Sequence, residues 1–151
     1  MVQIAYKSPN VPVGTADTWD SWVNGANRAV ITASDVVLMN GFPYWQGATI
    51  DQALGKLKEA IHTTRKTVGY DKPFVLGETG WPTDGPNFGS AVASIPNAAA
   101  YWKAAACWLQ TTEYAWYWFS GFDEPNRWEG PIERSFGVAT DRQPLKYSLK
   151  C

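Results

Sequence analysis

Histidine is nearly absent and cysteine is scarce: His62 is the one imidazole, and Cys107 and Cys151 are the two thiols in 151 residues. Structural zinc sites draw on clustered Cys and His with short paired spacings such as C-x-x-C. Neither the number nor the spacing is present, so a zinc site is not expected. His62 follows the apolar Ile61 on a polar helix flank and is expected at the surface. No apolar run approaches the roughly 18 residues a membrane span needs, so a soluble chain is expected. Met1 opens on Val-Gln-Ile-Ala-Tyr, without the basic stretch and apolar core of a secretory leader, and none is expected here. Thirteen basic and fourteen acidic residues leave a net charge of −1. No Lys/Arg cluster is dense enough to track phosphates, which argues against a nucleic-acid partner. Internal repeats, low-complexity tracts and linkers are also missing, so residues 1–151 read as a single unit.

Aromatic surface is what the chain does have, with nine Trp, seven Tyr and six Phe. Flat apolar rings can fill a core or stack on the axial C–H face of a sugar ring. Core is the default for most of them, and about two or three are assigned to ligand, because a binding site uses few convergent groups.

Periodicity gives alternating strands and helices. A short first strand is expected around Pro12 to Gly14. Asp17 or Thr18 then caps a helix whose Trp19, Trp22, Val23 and Ala26 fall on one face, packing against a sheet. Val36 to Met39 forms the second strand. Thr49 caps a long helix carrying Ile50, Ala53, Leu54, Leu57 and Ile61 on its apolar stripe and Lys56, Lys58, Glu59 and Arg65 on the other face; Gly69 ends it. The third strand begins at Phe74, and its three consecutive apolar residues suit a strand covered on both faces. Asn97 is expected to cap a helix from Ala98 to about Leu109, and Tyr114 to Phe119 is the last strand. Strand, helix, strand in this order predicts an α/β fold, a parallel (β/α) half-barrel of about four strands. A complete (β/α)₈ barrel usually needs about 250 residues, so the length fits part of one.

The most telling stretch is Phe74-Val-Leu-Gly77-Glu78-Thr79-Gly80-Trp81-Pro82-Thr83, an apolar strand ending on a carboxylate and then breaking in Gly and Pro. Barrel enzymes place their chemistry at that end of a strand. Gly77 to Thr83 resembles the nucleophile signature of glycoside hydrolase family 17, the β-1,3-glucanases, and most closely its fungal cell-wall branch. Three other stretches resemble the family in order. Val11-Pro-Val-Gly14 with Asp17-Thr18-Trp19 is similar to the fifth strand and its loop, and Asp35 to Gly47 to the sixth. Phe122-Asp123-Glu124-Pro125 with Ile132 to Val138 is similar to the eighth and its closing loop. Together they cover nearly the whole chain as the C-terminal half of a TIM barrel.

The resemblance implies a retaining glycosidase or transglycosylase on cell-wall β-1,3-glucan, with Glu78 as nucleophile and no metal or organic cofactor. Such enzymes need a second carboxyl about 5–5.5 Å away. The family's acid/base resembles a Val-Gly-Asn-Glu motif that these residues lack, so the chain alone is expected to be weakly active or inactive. Glu124 and Glu133 resemble cleft-lining glutamates, with an ion pair or a loop cap as the alternative, and Arg127 stands where relatives carry lysine. Tyr44 and Trp45 are candidates for stacking a glucose ring and Trp81 for walling the same subsite. Asn40 could donate to a sugar hydroxyl or hold Glu78, or it could satisfy backbone. A secreted or cell-wall parent, as the resemblance implies, would favour a Cys107–Cys151 disulfide over two reduced thiols. A second reading is a non-catalytic unit, glucan-binding, antigenic or self-assembling, whose bare strand edges invite a homodimer or pairing with an N-terminal half-barrel.

Overall fold

The computed structural model describes residues 11–140 and 144–151; the opening Met1-Val-Gln-Ile-Ala-Tyr stretch lies outside them. Four strands, β1 (Gly14–Thr18), β2 (Val36–Asn40), β3 (Phe74–Thr79) and β4 (Ala115–Trp118), form one open parallel sheet in the order of the sequence. Between them run α1 (Trp19–Val23) and α2 (Arg28–Ala33), then α3 (Ile50–Val68), then α4 (Ile95–Tyr101), which continues through a π turn (Trp102–Ala106) into α5 (Cys107–Leu109).

β1 starts where the expected strand was to end, at Gly14. Val13 is held as the lead-in, its N–H donating to the Asp35 carboxylate and its carbonyl accepting from Asp35 N, so the ladder begins with Gly14 opposite Val36. α3 follows the expected pattern. Ala53, Leu57, Ala60, Ile61, Thr64 and Val68 are buried on one stripe, Gln52 accepts from the Thr49 N–H at 3.3 Å, and Gly69 closes the helix at φ 97°. Arg65 is the exception to its polar face. Its guanidinium turns in to donate to the carbonyls of Tyr70 (2.7 Å) and Lys72 (3.2 Å), tying the helix end to the approach of β3. The cap of α4 is Ser94, whose Oγ accepts from Asn97 N at 3.2 Å; Asn97 lies inside the first turn, and Pro96 precedes it at a position where no N–H is needed.

Register explains the two faces of the sheet. Val37, Met39, Phe74 and Leu76 are buried under the helices, whereas Leu38 pairs with Ala16 and Val75, and Val75 with Ala115, on the opposite face. That face is open: Leu38 and Val75 are half-buried, Ala115 is exposed and Tyr117 is 64% exposed. The run Phe74 to Leu76 is therefore covered on one face by this chain, not on both. Behind the helices, Cys107 and Cys151 form a disulfide with Cα atoms 5.5 Å apart, fixing the C-terminal segment to α5.

Candidate active site

The tip of β3 departs from regular pairing. Met39 faces Leu76 but Asn40 faces Glu78, and on the other side Leu76 faces Trp116 but Thr79 faces Trp118. The extra residue lies at Gly77–Glu78. Strict alternation from buried Leu76 would send Glu78 to the helix-covered face; a bulge re-aims it. Its carboxyl is half-buried at the carboxyl end of the sheet, within electrostatic reach of Arg127 and Glu133 from the loop after β4.

Glycine makes this tip possible at two places. A Cβ on Gly77 would lie 2.7 Å from Asn40 Oδ1, so the missing side chain leaves room for the Asn40 amide beside the nucleophile candidate. A Cβ on Gly80 would lie 2.0 Å from the Phe119 carbonyl oxygen, so only glycine permits the close approach of the chain leaving β3 to the end of β4. Backbone bonds complete the clamp: Gly41 N donates to Glu78 O and Phe119 N to Thr79 O, each at 2.8 Å. Beneath Glu78, the Thr79 hydroxyl meets the Tyr101 hydroxyl at 2.7 Å, both residues fully buried.

Arg127 organises the charges. Its guanidinium reaches Glu124 Oε1 at 3.3 Å, both Glu129 oxygens at 3.3 Å and Glu133 Oε2 at 3.8 Å, and its carbon lies 5.4 Å over the Phe119 ring. Arg134 donates from Nε to the Arg127 carbonyl at 2.6 Å, bracing the loop from behind. Burial raises the Glu78 carboxyl above the ordinary range; Arg127 opposes this and Glu133 adds to it. Glu133 is raised mainly by burial too, with Arg127 again opposing and Glu129 and Glu124 reinforcing. Glu129 is lowered by the hydrogen bond from Arg127. One fork thus gathers the acidic groups of this loop and biases Glu78 toward its charged form.

The aromatic candidates divide. Tyr44, expected to stack a glucose ring, and Trp81, expected to wall the same subsite, are both 0% exposed and offer no ring face to a ligand. They stand in a row of rings, Trp45–Tyr44–Trp81–Tyr101–Trp118–Trp102, that backs the site. Their polar ends are spent inside it: Tyr44 Oη donates to Pro86 O, and Trp81 Nε1 to Val92 O at 3.0 Å. Trp45 is 38% exposed and lines a cleft of about 410 Å³ with Thr18, Trp19, Asp20, Asn40, Phe42 and Gln46. Trp19, expected to pack on the sheet, is half-buried on that cleft, and Trp22 alone of the pair is fully inside, donating to Leu38 O at 3.1 Å. Asn40 Oδ1 is buried without a hydrogen-bond partner, so the structure does not show it satisfying backbone. Its position between the Trp45 cleft and Glu78 is legible only from the register of β2.

A second groove, of about 760 Å³, runs along Arg127 and is lined by Phe119, Glu124, Trp128 and Glu129 among others. Phe119, Trp128 and Glu129 are residues the sequence reading did not single out; the one available signal was their place in a charged, Pro-bearing loop after the last strand. His62 is exposed, with Nδ1 3.4 Å from the Tyr70 hydroxyl. Among the described residues, no group of three or more His, Cys, Asp or Glu is placed to hold a metal ion, and no helix is long and apolar enough to cross a membrane.

Comparison with known proteins agrees with this arrangement. Residues 2–137 match the model of the BtgE/BtgC glycoside hydrolase domain. The chain is 42% identical over 148 residues to a glucan 1,3-beta-glucosidase of Saccharomyces cerevisiae, covering 92% of this chain and 47% of that protein. It is 37% identical over 150 residues to a glucan 1,3-beta-glucosidase of Schizosaccharomyces pombe, covering 94% and 46%. Among solved structures, an active-site mutant of the Rhizomucor miehei beta-1,3-glucanosyltransferase in complex with laminaritriose superposes with a TM-score of 0.81 at 32% identity, over 95% of this chain and 52% of that one. The chain spans about half the length of each of these relatives.

Proposed function

Because the chain belongs to the BtgE/BtgC glycoside hydrolase domain family, we propose that it carries the nucleophile half of a retaining site that acts on cell-wall β-1,3-glucan by hydrolysis or transfer. The observation that carries this reading is Glu78: a half-buried carboxyl on the bulged tip of a barrel-type strand, facing one guanidinium. A Glu78 oxygen bonds to the anomeric carbon as the glycosidic C–O bond breaks, and the departing oxygen takes a proton from an acid. Water or a second glucan hydroxyl then displaces Glu78, giving its proton back to that same group. Burial of Glu78 opposes its ionisation, and Arg127 favours the charged form that the nucleophile must adopt.

Asn40 and Trp45 line the cleft beside this carboxyl and serve the sugar, Asn40 by donating from its amide nitrogen and Trp45 through its ring. Arg127, paired with Glu124 and Glu133, supplies the charge that acts on Glu78. The family-type proton donor is not among these residues, and loss of general acid–base assistance costs about 10² to 10⁴ in rate. The isolated chain is accordingly weakly active or inactive. The Cys107–Cys151 bridge suits the oxidising setting of a secreted or cell-wall protein.

One observation favours a second reading as a pairing unit, the open face and edges of the sheet, where all of β1 and the side chains of Ala115 and Tyr117 face solvent. Release of reducing ends and transfer products from a β-1,3-glucan oligosaccharide, by this chain and by Glu78→Gln, separates the two. Activity lost in Glu78→Gln supports the nucleophile role. Activity that survives the substitution overturns it; where both are inactive, as a chain without its proton donor can be, the comparison is repeated with an N-terminal half-barrel added, and activity restored to this chain but not to Glu78→Gln supports the nucleophile, whereas pairing without any activity favours the pairing unit.

A further inference from the structure

Trp128 is 86% exposed, the most exposed large apolar side chain among the described residues. Its neighbours explain why it stays so. Arg127 Nε and Nη2 each lie 3.3 Å from an oxygen of Glu129, so the residues before and after Trp128 are joined side chain to side chain and the indole between them is turned away. Arg127 is fixed further by Glu124 at 3.3 Å and by the Phe119 ring beneath it, and its carbonyl by Arg134. Trp128 therefore stands on a braced loop. Among the described residues it has no ring or cation partner.

The groove it lines has a composition that selects a ligand class. Its lining combines the indole, Phe119 and Pro125 with the hydrogen-bonding groups of Glu124, Asn126, Arg127 and Glu129. Aromatic faces together with such hydrogen-bonding groups fit a pyranose, which carries C–H groups on one face and hydroxyls on its edge. Glu124, Glu129 and Glu133 outnumber the guanidinium they share, which disfavours anionic polymers, including the nucleic acids that also stack on indoles. Arg127 belongs both to this groove and to the charge cluster that acts on Glu78.

We propose that Trp128 is a stacking platform for a glucose unit of the bound glucan, a binding position on the Arg127 groove outboard of Glu78. This rests on the reading of Glu78 as the nucleophile of a glucan-active site. An outboard position is reached only by longer chains, so Trp128 discriminates by length and has little influence on a short oligosaccharide.

The test is calorimetric binding of a β-1,3-linked glucose trisaccharide and hexasaccharide to Glu78→Gln, alone and combined with Trp128→Ala or Trp128→Tyr. Exposure of the side chain makes both substitutions compatible with folding. The expected result is hexasaccharide affinity about tenfold weaker with Trp128→Ala, mostly restored with Trp128→Tyr, and trisaccharide affinity unchanged. Equal hexasaccharide affinity with and without the indole overturns the platform while leaving the glucan-directed reading intact. Absence of binding to every form overturns the glucan-directed reading, and the platform with it. Sedimentation of the same proteins supplies the remaining outcome: a change of assembly state on Trp128→Ala, without a change in affinity, assigns the indole to a contact between copies and overturns the proposal.

Discussion

Removing the hydroxyl of Tyr101 should cost far more than one oxygen atom suggests. It meets the Thr79 hydroxyl at 2.7 Å in a place where both residues are completely shielded from water. Tyr101→Phe keeps the ring contacts with Trp81 and Trp118, at 5.6 and 5.5 Å, and deletes only the bond, leaving Thr79 with a buried hydroxyl and no partner. The expense of such an orphan is about 1–3 kcal/mol. Thr79→Val, close in shape, strands the Tyr101 hydroxyl and costs a similar amount. The double substitution replaces the bond with two apolar surfaces and removes both orphans, so its loss should be well below the sum of the singles, with a coupling of at least about 1 kcal/mol. Urea unfolding at constant m value measures this directly, and each kcal/mol should also move the melting temperature by about 2–4 °C for a chain of this size. Burial pushes the Tyr101 hydroxyl well above the usual phenol range, so it stays protonated and the effect should be the same at neutral and moderately alkaline pH. Strict additivity of the two single losses would refute the reasoning. Thr79 follows Glu78 directly, so any activity of a completed site should fall with the same pair of substitutions.

Arg127→Met should move the titration of Glu78 and Glu133 to higher pH, since the guanidinium is the group that opposes burial at both, and side-chain carboxyl NMR would reveal it. Each carboxyl is already raised by burial, so its stabilising contribution is complete below the ordinary carboxylate range and fades as pH rises through the folded value; Arg127→Met should therefore steepen the loss of stability from acid to neutral pH. Gly55 sits in α3 with nothing within 4 Å of an added Cβ, and Gly55→Ala should stabilise by about 0.5–1 kcal/mol, whereas Gly80→Ala, pressed against the Phe119 carbonyl, should cost about 3 kcal/mol; thermal melts compare them. Cys151→Ser opens a bridge between residues 44 apart and should cost up to about 4 kcal/mol in urea under oxidising conditions.

Much of the fold is legible in the sequence because local signals and burial agree. The α3 stripe, its Thr49–Gln52 entry and its Gly69 exit are all readable by period and cap, and the break after Glu78 is readable as the end of a strand. The misses occur where side-chain type says nothing about direction. Aromatic identity marked Tyr44, Trp45 and Trp81 alike, yet tertiary packing buried the first two-ringed contact pair, Tyr44 with Trp81, and left Trp45 at the surface. Ser94 outcompeted Asn97 as a cap because Pro96 already belongs to the first turn. The bulge that turns Glu78 depends on two neighbouring strands at once, and no window of β3 alone contains it.

The row of rings from Trp45 to Trp102, with neighbouring centroids 4.7 to 5.6 Å apart and each ring held at a fixed tilt, has an optical consequence. Closely spaced chromophores in a rigid asymmetric array give strong near-ultraviolet circular dichroism, a signal that vanishes when packing loosens even if helices and strands persist. The wall behind Glu78 is thus its own spectroscopic gauge, able to register a loosened site before any change in secondary structure is visible.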